Sequence, residues 1–258
     1  MLDLAGLLSR GCASSARVGI GLTGNLLAST REKIESDSCR LSLTGFGGSS
    51  LLVSSLRDGE IDAAVRGTLS SSAVLTELKR AFSLPEVMRV AVLEDRGGRP
   101  FLLAPVGIDE GMDMQSRLTL ARAAVKYFEP TGWDIRTGVL SKGRIEDAPR
   151  SEAIRHSLDE GEQIAASIRA DGGAASHYSI LVEDAVKECE LVLAPDGVSG
   201  NLMFRTLHFV GGGRAYGAPV VNMDRVFVDT SRGKKDFADP VLLAAGLASL
   251  GYPRLVKA

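Results

Sequence analysis

The chain has 258 residues, a formal net charge of -2, 45% hydrophobic and 24% charged residues, the proportions of a folded globular protein and not of a disordered or coiled-coil chain. Lys+Arg 30 against Asp+Glu 32 leaves no basic excess to neutralise a phosphate backbone, so no nucleic-acid partner is expected. The uncharged stretch Leu41–Leu56 is broken by Gly and Ser and is shorter than the ~20 apolar residues that cross a bilayer, and Met1–Arg10 carries Asp3 and no basic region, so the sequence reads as cytosolic, without membrane span or signal peptide.

In chain order, Arg17–Leu22 is an apolar run ending in glycine, followed by a helix over Gly24–Ile34. Leu41–Thr44 and Asp62–Arg66 are the next strands, each followed by a helix, Ser50–Leu56 and Ser72–Phe82, the latter with Val74, Leu75, Leu78 and Phe82 at helical spacing. Three strand–helix units in a row predict a parallel sheet with helices packed on it. Met88–Leu93 and Pro100–Val106 are strands joined directly across Gly97-Gly98, a hairpin that interrupts the parallel rhythm and marks passage into a second lobe. The spacing then predicts a helix over Met114–Phe128, a strand over Thr137–Leu140, helices over Ser151–Arg169 and Tyr178–Cys189, and a buried strand over Leu191–Ala194. Pro195–Asn201 reads as a turn opening an apolar helix, Leu202–Val210, which Gly211-Gly212-Gly213 ends. Pro219–Asn222 and Val226–Asp229 are strands, and Asp239-Pro240 suits a helix start, Asp as cap and Pro at the first helical position. Cys12, Cys39 and Cys189 have no metal-like spacing and an odd count, so free thiols are expected and a disulfide is not.

Gly19–Gly24 is formally G-x-G-x-x-G, the dinucleotide pattern, but the second strand ends Thr44-Gly45-Phe46-Gly47 without the acid that holds ribose hydroxyls. A tight turn with close helix–strand packing accounts for these glycines, and the missing acid opposes an S-adenosylmethionine methyltransferase. Gly67–Ser72, at a strand's carboxyl end and entering a helix, admits either an anion site or simple serine capping. Asp196–Asn201 has the same geometry: Gly200 lets a ligand approach the backbone and the Asn201 amide both donates and accepts, while a Ser199 cap is the plainer account. Ser231-Arg232 follows a strand, and its guanidinium and hydroxyl suit phosphate or carboxylate. No Ser-His-Asp or Cys-His constellation is legible. His156 and His208 read as ordinary surface or core histidines, and His177 is a candidate to line a cleft.

Asp62–Ser71, Pro195–Asn201 and Ser231-Arg232-Gly233, in this order and with Gly138–Gly143 as a middle strand, resemble the phosphate acetyl/butyryl transferase family. Asp196-Gly197-x-x-Gly200-Asn201 is also similar to phosphate:acyl-carrier-protein acyltransferases, and the chain looks most like methanogenesis marker protein 4, a methyltransferase-related family of methanogens. The resemblance implies a two-lobed α/β/α fold like isocitrate dehydrogenase, a cleft between the lobes, and a homodimer. It implies that Ser231 and Arg232 hold phosphate and stabilise charge, that Gly200 and Asn201 lie in the cleft, and that Thr68 and Ser71 contact the same ligand. In the transferases an aspartate after Ser-Arg-Gly takes the proton from coenzyme A. Here Asp239 is one position out of register, with Asp236 the other candidate, and the chain is shorter than typical phosphotransacetylases; both departures bear on acetyl transfer more than on anion binding.

The expectation is a two-lobed α/β protein: residues 1–98 as first lobe, 99–222 as second, and 223–258 returning to the first. The leading function is acyl transfer between phosphate and a thiol such as coenzyme A, with no metal and no tightly bound cofactor. The alternative is a methanogenesis-associated, methyltransferase-related or regulatory subunit that keeps the fold and lacks the transfer activity.

Overall fold

The computed structural model describes residues 2–231 and 233–251. Strands β1 (Arg17–Ile20), β2 (Ser42–Gly45) and β3 (Ala63–Val65) alternate with helices α2 (Gly24–Ser36), α3 (Ser49–Arg57) and α4 (Ser71–Phe82), as the apolar periodicity requires. A helix that the sequence reading does not place, α1 (Leu4–Ala13), precedes them, started by Asp3, whose Oδ1 accepts the Gly6 N–H at 2.8 Å. The chain later supplies β9 (Arg214–Pro219), β10 (Val226–Asp229) and α9 (Ala238–Ser249).

The chain divides into two compact units, one made of Asp3–Val87 with the residues from Tyr216 on, the other of Met88–Ala215. In the first, the strand order is β2-β1-β3-β10-β9, parallel except that β9 runs antiparallel to β10. Leu52, Leu56, Val74, Leu78 and Phe227 lie fully buried in its core; each such side chain contributes ~1.5–3 kcal/mol relative to exposure. Helix α9 packs against α1 so closely that a side chain at Gly11 would run into the Leu242 carbonyl.

The second unit opens with the antiparallel hairpin β4 (Ala91–Glu94) and β5 (Pro100–Ala104), whose turn is held by Asp95 Oδ1 accepting from the Gly97 and Arg99 amides at 2.8 and 2.9 Å. Helix α5 (Met114–Phe128), capped reciprocally by Asp113 and Ser116, leads to β6 (Arg136–Val139), α6 (Glu152–Ala170), β7 (Ala174–His177), α7 (Val182–Glu188), β8 (Leu191–Leu193) and α8 (Gly197–Arg205). The strand order is β4-β5-β8-β6-β7, parallel from β5 onward. Because β8 inserts between β5 and β6, chain direction across the sheet reverses there, which in open α/β sheets puts the ligand crevice outside the carboxyl ends.

Several expectations change. Ala174–His177 pairs with β6 as an edge strand, so the following helix begins at Val182 and not at Tyr178. The apolar helix begins at Gly197, its cap being Asp196, whose Oδ1 accepts from Ser199 N at 2.7 Å, so Ser199 is not the cap. The strand expected at Pro219–Asn222 ends at Pro219, and Asp239 sits inside the first turn of α9, while the Ala238 N–H is taken by Asp236 Oδ1 at 3.0 Å. Cys12 and Cys39 form a disulfide, contrary to the free thiols read from their spacing. The Arg40 amide donates to the Cys12 carbonyl at 2.7 Å, and this tertiary contact, invisible as spacing, brings the two Cα atoms to 4.4 Å.

Candidate functional site

In the first unit, parallel alignment of β1, β3 and β10 gathers three loops at one edge. The residue after β1, Gly21, takes the Thr68 amide at 2.9 Å and the Thr68 hydroxyl at 3.3 Å on its carbonyl. Gly67 needs its left-handed conformation (φ 61°), and a Cβ there would strike the Gly21 carbonyl. The Thr230 hydroxyl donates to the Gly67 carbonyl at 3.0 Å, so the loop leading to Ser231 is fastened to the loop bearing Thr68. Beneath them Arg66 and Asp229 form a buried ion pair; Arg66 Nη1 also holds the Leu69 carbonyl at 2.7 Å, and Asp229 Oδ1 accepts the Thr230 amide at 2.8 Å. One ion pair thus positions both loops.

Thr68 is exposed, Ser71 is half-buried in the first turn of α4, and Ser70 at the cap position makes no side-chain cap bond, leaving the helix's first amides uncapped by it. Ser231 is half-buried, its Oγ accepting the Gly233 N–H at 3.3 Å. Arg232 lies outside the described residues. Asp236 pairs with Lys33. Burial acts to raise its pKa, but Lys33 and the Ala238 amide outweigh this and hold the carboxyl below its ordinary range. Asp239 is half-buried on α9.

In the second unit, β5 runs into a cis Ala104–Pro105 bond, and the start of α8 presses on the backbone beyond it. A Cβ on Gly200 would meet the Pro105 carbonyl and one on Gly197 the Gly107 carbonyl, while Asn201 Nδ2 donates to the Val106 carbonyl at 2.8 Å. The backbone approach that glycine permits at 200 is the chain's own, and Asn201 fastens the same turn. Glu110 braces it from below, with Arg89 Nε at 2.5 Å and the Gly107 amide at 3.1 Å; burial outweighs these partners and raises its pKa. Lys142 Nζ lies 2.9 Å from Asp196 Oδ2. For Asp196 burial acts upward, and the Ser199 amide and Lys142 overcome it to keep the carboxylate ionised. A cavity of about 370 Å³ lined by Leu140, Lys142, Ile180, Pro195, Ser199 and Met203 lies at this carboxyl edge.

The sequence reading sees no serine–histidine pair, yet Ser141 Oγ stands 3.0 Å from His177 Nε2, with Glu162 3.7 Å from Nδ1. The signal was positional: His177 ends β7 in register with Val139, the end of β6, and Ser141 follows two residues later. Burial lowers the His177 pKa against the pull of Glu162, so the imidazole is neutral near neutrality. Ser141 is wholly buried and the next amide, Lys142 N, is occupied by Ser157 Oγ at 3.1 Å, so the pair braces α6 against the strand ends and offers no oxyanion donor beside the hydroxyl.

Among the described residues, no cluster of His, Cys, Asp or Glu has the form of a metal site, and no helix is long and apolar enough to cross a membrane. Largely parallel strands with glycine- and hydroxyl-bearing loops at their carboxyl edges define an α/β protein of the phosphotransacetylase-like fold. A branched-chain phosphotransacylase from Enterococcus faecalis matches with TM-score 0.71 at 15% identity, over 90% of this chain and 99% of that one. A phosphotransacetylase from Streptococcus pyogenes matches at 0.65 and 13%, over 96% and 98%. No family model matches. In sequence, the chain is 43% identical over 195 residues, 76% of its length and 72% of the relative's, to "Putative methyltransferase mtx subunit X" of Methanosarcina barkeri. The chain belongs to this mtx subunit X family of methanogen proteins, the methanogenesis marker family indicated by its motifs.

Proposed function

We propose that the chain is an acyltransferase-like protein that moves an acyl group between phosphate and a thiol such as coenzyme A, binding the phosphate at the carboxyl edge of the first unit. The observation that carries this reading is the fastening of the Gly67-Thr68 loop to the Thr230-Ser231 loop on adjacent parallel strands. The Thr68 and Thr230 donors are used to fix the loops themselves, so the fastening supports a rigid edge at which Ser231, the first amides of α4 from Ser71, and the Arg232 guanidinium supply the donors for an anion. Gly200 and Asn201 shape the corresponding carboxyl-edge turn within the second unit. Attack of a thiolate on an acyl phosphate requires positioning, charge stabilisation and a base, and Asp239 is the acid assigned to the last role.

A second reading has its own support. Asp236, the other candidate base, is engaged by Lys33 and is a poor proton acceptor, and the relatives carry a methyltransferase subunit name. On that reading the chain is a cytoplasmic, methyltransferase-related or regulatory subunit that keeps the anion site without turnover. Exposed Val198, Leu202 and Val210 on and after α8 support a homodimer, which sedimentation reads. Calorimetric titration with acetyl phosphate, coenzyme A and S-adenosylmethionine separates the readings. Heat with the first two and coenzyme A-dependent release of phosphate supports transfer; heat with phosphate compounds and no turnover supports the subunit. Arg232→Ala is expected to remove phosphate binding while circular dichroism stays unchanged, and unaltered affinity sinks the site.

A further inference from the structure

At the amino ends of β1 and β3, opposite the carboxyl-edge loops, the first unit has an open hollow of about 440 Å³. It is lined by residues 13–16, by Arg40 and Asp62, and by the end of α9 at Ala248 and Ser249. Two of these residues directly follow the cysteines of the bridge, Ala13 after Cys12 and Arg40 after Cys39, and both cysteines are half-buried.

Most polar groups around this hollow are engaged. The Gly11 carbonyl takes the Ser14 amide at 3.2 Å and the Ser14 hydroxyl at 2.8 Å, the Cys12 carbonyl takes the Arg40 amide at 2.7 Å, and the Ala248 carbonyl takes the Gly251 amide at 3.0 Å. Arg17 grips Asp62 with two bonds, Nη2 to Oδ1 at 2.7 Å and Nε to Oδ2 at 3.1 Å, which keeps that carboxyl below its ordinary range and cancels its charge. Among the described residues the Arg40 guanidinium and the Ser15 hydroxyl have no partner, and both residues are exposed. The uncancelled charge of the hollow is therefore positive, and it stands beside a bond that a thiolate can open.

We propose that this hollow is a thiol–disulfide exchange site for a small anionic thiol, whose acidic group meets Arg40 and Ser15 while its sulfur reaches the Cys12–Cys39 bridge. The incoming thiolate bonds to one bridge sulfur, the S–S bond breaks, and its electron pair leaves on the other cysteine as thiolate, which takes a proton from water. A second molecule of the thiol then displaces the first as its own disulfide, so two thiols are oxidised and Cys12 and Cys39 are both reduced. Exchange releases the end of α1 from the turn that precedes β2, and it is independent of the acyl-transfer reading.

The test treats the folded protein, purified without reductant, with 3-mercaptopropionate or 2-mercaptoethanol, traps free thiols with iodoacetamide, and reads intact and peptide masses. A mercaptopropionate adduct on Cys12 or Cys39 is expected, followed by alkylation of both. The ratio of the mercaptopropionate rate to the mercaptoethanol rate cancels the unequal reactivity of the two thiols. That ratio is expected to fall about 2- to 5-fold in Arg40→Gln, the worth of one exposed charge at close range, and to fall likewise for the parent in about 1 M salt. An equal ratio in parent and variant overturns the role of Arg40. Exchange that occurs only after unfolding in urea, an adduct confined to Cys189, or a starting protein with three free thiols overturns the site. Circular dichroism of Arg40→Gln, expected to be unchanged, separates a lost guide charge from a lost fold.

Discussion

A buried Arg66–Asp229 pair beneath the Gly67-Thr68 and Thr230-Ser231 loops makes stability and loop geometry inseparable at the level of single residues. Removing one partner leaves the other charge buried and alone, so Arg66→Met or Asp229→Leu is expected to cost ~3–5 kcal/mol in urea unfolding, and the double substitution markedly less than the sum. Gly200→Ala is a backbone collision with the Pro105 carbonyl, which no rotamer relieves, and is expected to cost ~1–3 kcal/mol, whereas Ser199→Ala next to it is near neutral because Asp196 is the cap. His177, whose pKa is lowered in the fold from an ordinary 6.5, binds protons more readily when unfolded. Its stabilising effect is therefore complete above that ordinary value and is lost as pH falls through it toward the folded value. Urea midpoints should decline from pH 7 to 5.5, and His177→Gln should remove part of that slope. Residue chemistry was partly legible: Gly67-Thr68 and Ser231 stand out as glycine and hydroxyl at strand ends. Arg66 and Asp229 did not, because a charge inside a strand announces a buried pair only when the partner strand is known.

The elements that the sequence reveals are those whose pattern is internal to them. Met114–Phe128 carries its own cap and period and is a helix over that same span, and Val226–Asp229 is likewise a strand throughout. Elements defined by a neighbour were misread. Ala174–His177 has no apolar alternation and is a strand because β6 pairs with it, and α8 starts five residues before the apolar run because Gly197 and Gly200, poor helix formers, are needed against Pro105 and Gly107. Helix α1 is held by α9 and by the Cys12–Cys39 bridge. Thiol titration of the denatured, unreduced protein is therefore expected to find one thiol, Cys189; three thiols would remove the bridge. Reduction should destabilise by ~3.5 kcal/mol from loop closure over 27 residues, read as a lowered unfolding temperature.

Chain order decides which half of the molecule can fold from a contiguous segment. Met88–Ala215 contains every strand of β4-β5-β8-β6-β7, whereas the first unit is interrupted after Val87 and resumes at Tyr216. The returning segment brings β10 to pair with β3, covers α1 with α9, and carries the Thr230 hydroxyl that fastens Gly67. The sequence reading puts the first boundary at 98 and the return at about Met223, on the polar link Asn222–Arg225; the units divide instead after Val87 and at Tyr216, so that β9 and β10 pair antiparallel across that link, the Val220 amide donating to the Phe227 carbonyl at 2.9 Å. A chain ended at Ala215 would leave β3 as a bare edge and the apolar face of α1 in water, a loss of burial that the remaining strands cannot offset. Limited proteolysis of that truncated chain is expected to degrade Asp3–Val87 and spare a fragment beginning near Met88, identified by mass spectrometry. Equal survival of both stretches would mean that the first unit folds without β10 and α9, and the Arg66–Asp229 pair would then not be what orders the Gly67-Thr68 loop.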